Sequence, residues 1–362
     1  MTTSKLLNVA LVGCGAVTKL YYAPALQDLE RLGQIQVGAL FDPNPVNVKH
    51  IHTIFPAAVP VQDLDTLTRF GIDLAIIASP PQYHAAQTIQ CLRSGISVLC
   101  EKPMALSVAE GETMVAAAVN AQRLLAIGLV RRFLPAVQTI HTLLSQNILG
   151  NVNAFSCTEG RVFKWPVQSA SYFHDNGVLR DIGVHVLDLL IWWWGEPEEI
   201  AYEDDAMGGV ELNCRIRLKF SQGFTGEVRL SREFQLPNSF VIQCEKGNIH
   251  WDIDEANQVQ IGFQESNYCM VGQLYTRNNT DDEGLSVPGT LAADFHQAFA
   301  NQLQNVIAAV RGTESLLIPG ESGLASLKAM EHCYSQRTLM AMPWLSEQEI
   351  LAAQQIKDNP LQ

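Results

Sequence analysis

The first half of the chain alternates short, continuous apolar runs with longer stretches at helical spacing. Val9-Ala10-Leu11-Val12 has no polar interruption and stops at Gly13, the pattern of a strand buried on both faces of a parallel sheet. Residues 17–32 carry apolar positions at helical period, with Pro24 as a predicted kink and Gly33 as the stop; residues 35–41 then form a second strand that ends at Asp42. The rhythm continues with a strand over 73–78, a helix over 83–94 closed by Gly95, a strand over 96–100, a helix over 107–123 and a strand over 124–128. Ser107-Val108-Ala109-Glu110 has the form of a capping box at the start of that last helix. Strand, helix and strand in succession predict βαβ units and a doubly wound parallel sheet.

After residue 129 the pattern changes. One helix is predicted near 134–146, and two-residue alternation then marks strands within 153–163, 210–220, 224–234 and 239–244. Glu245-Lys246-Gly247-Asn248 has the composition of a hairpin turn, so this half reads as an open, mainly antiparallel sheet with few helices. Residues 178–194 hold an apolar helix, and 291–311 and 321–341 return to helical period. The polar, glycine-bearing stretch 264–290 reads as a long loop. The fold class expected is α/β, with an N-terminal Rossmann-type domain over 1–128 followed by an α+β domain over 129–362, whose last helices pack back on the first domain.

Composition narrows the function classes. The chain has 362 residues, 47% of them hydrophobic, enough for two packed domains. Lys+Arg 24 against Asp+Glu 37 gives a net charge of −13, which repels phosphate backbones and anionic lipid, so nucleic acid and membrane are not expected as partners. Charged residues make up 17%, below the ~25% usual for soluble domains, which points to surface buried between subunits, in a homodimer or homotetramer. The eight cysteines include no C-x-x-C pair, so reduced core thiols are expected, with neither structural zinc nor a disulfide scaffold. No signal peptide or membrane span is read, and the cytoplasm is the expected location.

Gly13-Cys14-Gly15-Ala16-Val17-Thr18 sits where the first strand turns into a helix. There the first glycine permits the tight turn, and the second lets a pyrophosphate approach the backbone N–H groups of Ala16 and Val17 at the positive helix end. The third position is Thr18 instead of Gly or Ala, so the fingerprint is incomplete. Asp42, 27 residues beyond Gly15 against the usual ~20, is placed to accept the ribose hydroxyls. Its charge would repel a 2′-phosphate, and Pro43-Asn44-Pro45 offers no cation. NAD is therefore expected over NADP, with Lys49 within reach in principle as a cation.

Two further segments follow parallel strands: Ser79-Pro80-Pro81-Gln82-Tyr83-His84 and Glu101-Lys102-Pro103. Together with the glycine turn and Asp181-Ile182-Gly183-Val184-His185, they resemble the Gfo/Idh/MocA family, named for glucose-fructose oxidoreductase, inositol dehydrogenase and a rhizopine-catabolism protein. The resemblance extends over the whole chain. It implies a Rossmann domain followed by an α/β domain with an open sheet, redox chemistry on sugars or polyols, and a Lys102–Pro103 bond that is cis. Ser79, Pro80, His84, Glu101 and Lys102 are then expected beside the nucleotide, His84 also reading as an exposed residue at a helix start.

Asp181 and His185, four apart on a helix, share one face, and Asp188 continues the stripe. Imidazole, with an unperturbed pKa of ~6.5, can take a hydroxyl proton and return it. His185 is accordingly expected as general acid/base, Asp181 as the carboxylate that orients it, and Lys102 as the cation that steadies an alkoxide. Arg132, beside Arg131, and Arg161 with Lys164 and Trp165 are candidates for holding substrate, Trp165 by stacking on a sugar ring. Relatives often carry a glycine cluster where this chain has His174-Asp175-Asn176-Gly177. No metal site is expected, because His174, Asp175, Asp181 and His185 match no ligand spacing. The leading reading is an NAD-dependent dehydrogenase of a sugar, polyol or sugar derivative. Two alternatives stay open: glycoside cleavage through transient oxidation, and a nucleotide-binding regulator without turnover.

Overall fold

Strands β1 (Leu7–Val12), β2 (Ile35–Phe41), β3 (Val59–Pro60), β4 (Leu74–Ile77), β5 (Ser97–Cys100) and β6 (Leu125–Ile127) form one sheet in the order β3-β2-β1-β4-β5-β6. Every pairing in it is parallel. β4, β5 and β6 are buried at every position, which is why they read as unbroken apolar runs. This computed structural model describes residues 6–162, 177–207, 209–263, 269–273 and 295–341. The chain divides into two units, Met1–Leu134 with Asn278–Leu327 and Pro135–Arg277 with Lys328–Gln362.

Helices α1 (Ala23–Arg31), α2 (Pro45–Ile54), α3 (Pro81–Arg93) and α4 (Val108–Ala121) connect the parallel strands. At the kink predicted at Pro24 the helical run carries a π-helical turn over Thr18–Tyr22, after which Pro24 lies in the first turn of α1. α2 is an element the sequence reading missed. Its start signal was present: Asn44 caps it by accepting the Val46 N–H at 3.0 Å, and Pro45 follows at the first helical position. α4 begins as expected, with Ser107 Oγ accepting the Glu110 N–H at 3.3 Å while Glu110 reaches back to the Leu106 N–H at 3.1 Å.

In the second unit α5 (Pro135–Ser145) precedes β7 (Val152–Gly160). A helical run follows: a π-turn over Leu179–Gly183 that continues directly into α6 (Val184–Trp194). Strands β8 (Glu199–Asp204), β9 (Asn213–Lys219), β10 (Thr225–Ser231), β11 (Ser239–Cys244), β12 (Gly247–Asp252), β13 (Gln258–Phe263) and β14 (Cys269–Gln273) follow. With a last strand, β15 (Arg337–Leu339), they make a nine-stranded sheet in the order β14-β13-β12-β11-β7-β10-β9-β8-β15. Only the β7–β10 and β8–β15 pairings are parallel. On β9, Cys214, Ile216 and Leu218 are buried while Arg215, Arg217 and Lys219 face out, the alternation of a sheet covered on one side. Phe155, Trp194, Phe220 and Phe224 meet at ring separations of 5.0–6.3 Å beneath it. The predicted hairpin is present, Glu245-Lys246 joining β11 to β12 in the register Cys244↔Gly247.

Among the described residues two further helices follow, α7 (Phe295–Val310) and α8 (Gly320–Ser335). The helix expected over 321–341 ends at Ser335, and residues 337–339 become β15. Arg337 Nε donates to the buried Asp204 at 2.8 Å and Thr338 to the Tyr202 carbonyl at 3.0 Å, so edge pairing with β8 outweighs helical continuation. Part of the loop expected over 264–290 is also strand, β14 pairing antiparallel with β13. Among the described residues, no helix is long and apolar enough to cross a membrane.

Candidate active site

The turn after β1 is built around Gly13. Its φ is +96°, and a Cβ there would lie 2.5 Å from the Ala78 backbone, so both conformation and space demand glycine. Gly15 differs: a Cβ there would meet nothing within 4 Å. That open approach, at the start of a helix, fits a pyrophosphate seated on the following N–H groups, those of Ala16 and Val17. Thr18, the residue that breaks the fingerprint, is fully buried and donates its hydroxyl to the Gly13 carbonyl at 2.6 Å. It ties the turn from within, where a third glycine would only leave room.

Asp42, just past β2, accepts the Cys14 N–H and the Asn44 N–H at 2.8 Å each, and Asn47 Nδ2 at 3.3 Å. The carboxylate is thus fixed at the end of the strand next to the glycine turn, where a ribose would lie. Burial, with the Asp42 charge adding to it, pushes the Cys14 thiol up to about 12, so this buried cysteine is inert at neutral pH.

After β4, Ser79 donates its hydroxyl to Gln87 at 2.6 Å. His84, in the first turn of α3, is not the exposed residue expected at a helix start. It is 1% exposed, with Nδ1 2.8 Å from the Pro103 carbonyl and Nε2 2.8 Å from the Ser79 carbonyl. The ring therefore lies between the segment after β4 and the segment after β5, a neutral ring donating to one of the two carbonyls and an imidazolium to both. Burial lowers its pKa, the Lys102 charge acts the same way, and the two carbonyls oppose them.

Glu101 closes β5 as a buried carboxylate. Tyr22 donates to it at 2.6 Å and the Lys102 N–H at 3.1 Å, and Gln302 Nε2 donates to the Tyr22 hydroxyl at 3.2 Å. Burial raises its pKa, against the Tyr22 hydrogen bond and the Lys102 charge, which lower it. Gly128 must be glycine for the same reason, since a Cβ there would stand 2.9 Å from the Glu101 carboxyl. Lys102 follows at the carboxyl end of the parallel strand, and the Lys102–Pro103 bond is cis. Arg131 and Arg132 are buried, at 6% and 4% exposure, and Arg132 Nη1 lies 3.5 Å from Ser322 Oγ. They are not a surface basic pair.

In the second unit the helical run that bears Asp181 and His185 is held at its start by Glu211. The Val178 N–H bonds the Glu211 carbonyl at 3.0 Å, the Leu179 N–H bonds its carboxylate at 3.0 Å, and Tyr334 donates to the same oxygen at 2.9 Å. A carboxylate at that position satisfies an orphan N–H and complements the positive helix end. Gly177 is required there, because a Cβ would fall 2.0 Å from the Glu211 carboxyl. Burial raises the pKa of Glu211 against these hydrogen bonds. The first turn is π-helical, a form that recurs at functional sites.

Asp181, with 17% of its side chain exposed, forms an ion pair with Arg232, whose side chain is 2% exposed. His185 is buried at 9% exposure one turn on, and Asp188 at 1% lies deeper. Arg232 and Glu211 are the residues that sequence reading missed. Arg232 directly follows the alternating strand β10, and its position there was the one available signal. Arg161, expected to hold substrate, has an exposed side chain that pairs with Asp254, which also accepts Asn238 Nδ2 at 2.9 Å. Lys164, Trp165, His174 and Asp175 lie outside the described residues.

These features define a Rossmann-type nucleotide-binding unit joined to a mixed-sheet unit that carries a restrained acid–histidine helix. Comparison with known proteins specifies the class. The family model "Oxidoreductase family, NAD-binding Rossmann fold" matches residues 7–129, and the "GFO/IDH/MocA C-terminal domain" matches 137–250. The chain belongs to the Gfo/Idh/MocA oxidoreductase family, and its first unit is an NAD-binding Rossmann domain. It is 30% identical to the trans-1,2-dihydrobenzene-1,2-diol dehydrogenase of Sus scrofa over 184 residues, 49% of this chain and 54% of the relative. It is 28% identical to the scyllo-inositol 2-dehydrogenase (NADP(+)) IolW of Bacillus subtilis (strain 168) over 198 residues, 54% of this chain and 53% of the relative. The matched stretch spans about half the length of these curated relatives. Among solved structures, the WlbA dehydrogenase of Bordetella pertussis in complex with NADH and UDP-GlcNAcA superposes with a TM-score of 0.77 at 22% identity, covering 93% of this chain and 96% of that one. A levoglucosan dehydrogenase in complex with NADH does so with a TM-score of 0.79 at 18% identity, covering 92% and 97%.

Proposed function

We propose that the protein transfers a hydride between nicotinamide and a hydroxyl-bearing carbon of a sugar, polyol or sugar derivative. The observation that carries this reading is the turn after β1, where Gly15 is left open and the Asp42 carboxylate is fixed beside it. Gly13, Gly15, Ala16 and Val17 would receive the pyrophosphate and Asp42 a ribose hydroxyl, with Ser79 and Pro80 on the segment after β4. Glu101 and His84 serve from beneath, one by bonding Tyr22 and the other by lying between two backbone segments. A bound nicotinamide supplies the hydride acceptor. His185 takes the hydroxyl proton and returns it in the reverse direction. Lys102 steadies the developing alkoxide, and Asp181, held by Arg232, presents a negative charge one turn before His185. The relatives' names support the substrate class: they act on a dihydrodiol and an inositol.

We place the protein in the cytoplasm, supported by the buried reduced thiols of Cys14, Cys91 and Cys100. A homodimer or homotetramer fits its low share of charged residues. NADH formation over a panel of polyols, aldoses and nucleotide-linked sugars tests the activity. Positioned acid–base catalysis contributes ~10²–10⁴ in rate, so His185→Ala should lose turnover on that scale while NADH affinity, read by fluorescence, stays unchanged. A His185→Ala enzyme with the parent's turnover removes His185 from the mechanism.

A further inference from the structure

One side-chain amide joins an anion to a cation at the edge of the nucleotide turn. Asn47 donates from Nδ2 to Asp42 Oδ2 at 3.3 Å and accepts at Oδ1 from Lys19 Nζ at 2.7 Å. Asp42 also receives the Cys14 and Asn44 N–H groups. A carboxylate has about four acceptor positions, so one remains for a ribose hydroxyl. Lys19 comes from the turn itself, its N–H bonding the Gly15 carbonyl at 3.0 Å. It brings positive charge within one side-chain amide of the Asp42 carboxylate, where Pro43-Asn44-Pro45 brings none. An ammonium there favours a 2′-phosphate, and a carboxylate disfavours it. The two act in opposition through Asn47.

We propose that Lys19 is the specificity-determining cation of this site: Asn47 holds its ammonium beside Asp42, and Lys19 sets how far the protein accepts a 2′-phosphorylated nicotinamide dinucleotide. The inference rests on the dinucleotide reading of the β1 turn. It extends that reading from Asp42 alone to a balance between Asp42 and Lys19.

Fluorescence titration of NADH and NADPH against the full chain tests it, with Asp42→Ala, Lys19→Gln, the double variant and Lys19→Arg. Removing Asp42 should raise NADPH affinity about tenfold, and adding Lys19→Gln should take that gain away about tenfold, the scale of one charge-assisted contact. NADH affinity should move less than about twofold on the Lys19 change, Lys19→Arg should keep the NADPH gain, and added salt should weaken NADPH selectively. Lys19→Gln altering both nucleotides by one factor, or neither in either background, overturns the assignment. Parent protein that binds neither nucleotide refutes the dinucleotide reading, and the role of Lys19 falls with it. Melting curves confirm that each variant is folded.

Discussion

Arg232→Met keeps the length and apolar stem of the side chain and removes its charge. In the parent, the guanidinium is 2% exposed and its partner Asp181 17% exposed. Breaking a buried pair by deleting one member costs about 3–5 kcal/mol, because the other charge stays in its low-dielectric setting without that partner. Partial exposure of Asp181 puts the expected loss at the lower end, about 3 kcal/mol. With a urea dependence of roughly 2 kcal/mol per molar, the unfolding midpoint should fall by roughly 1.5 M. Every tryptophan of the chain lies in the second unit, so tryptophan fluorescence follows that unit alone. Adding Asp181→Asn to Arg232→Met removes the second charge of the pair, and the two should show a coupling of about 1–3 kcal/mol in a double-mutant cycle. Turnover should fall with Arg232→Met, because Asp181 loses the partner that fixes it. A midpoint within experimental error of the parent, or strictly additive losses, would refute the argument. Lost stability with unchanged kcat and KM would confine the pair to a structural role.

Gly13→Ala places a methyl 2.5 Å from the Ala78 backbone at a φ of +96°, so it should abolish NADH binding and lower the melting temperature, whereas Gly15→Ala, which meets no neighbour, should leave stability intact. A Gly13→Ala protein that binds NADH normally contradicts the turn geometry. The pKa of His84 is lowered from 6.5 by burial, so the folded state favours the neutral ring. The stability this brings is present above pH ~6.5 and is lost as pH falls through the folded-state value. Urea unfolding followed by circular dichroism should show that loss in the parent and a smaller one in His84→Asn, and equal slopes would exclude His84 as its source.

The nucleotide half was legible because its signals are local. A strand, two glycines and a terminal Asp42 lie within one βαβ unit, and residue type and order are enough to read them. Thr18 shows the limit: only the fold reveals that its hydroxyl bonds the Gly13 carbonyl and stands in for a third glycine. His84 looked exposed because helical period says nothing of two carbonyls delivered by separate strand ends. Arg232 and Glu211 escaped notice for the same reason, their partners lying 51 and 32 residues away in the sequence, Asp181 and Leu179 respectively. The residues 337–339 carried a helical pattern until pairing with β8 decided otherwise.

The Rossmann unit is finished late in the chain. Tyr21 and Tyr22 pack on Phe299 of α7 at 4.7 and 5.1 Å, Arg311 bonds the Gln34 carbonyl at 2.6 Å, and Ala126 bridges to Pro319. During synthesis, the six parallel strands therefore leave the ribosome long before the helix that covers Tyr22, with strands β7 to β14 of the second sheet made in between. Cutting the gene after residue 134 would remove Phe299, the ring on which Tyr21 and Tyr22 pack, from the unit that holds the nucleotide turn.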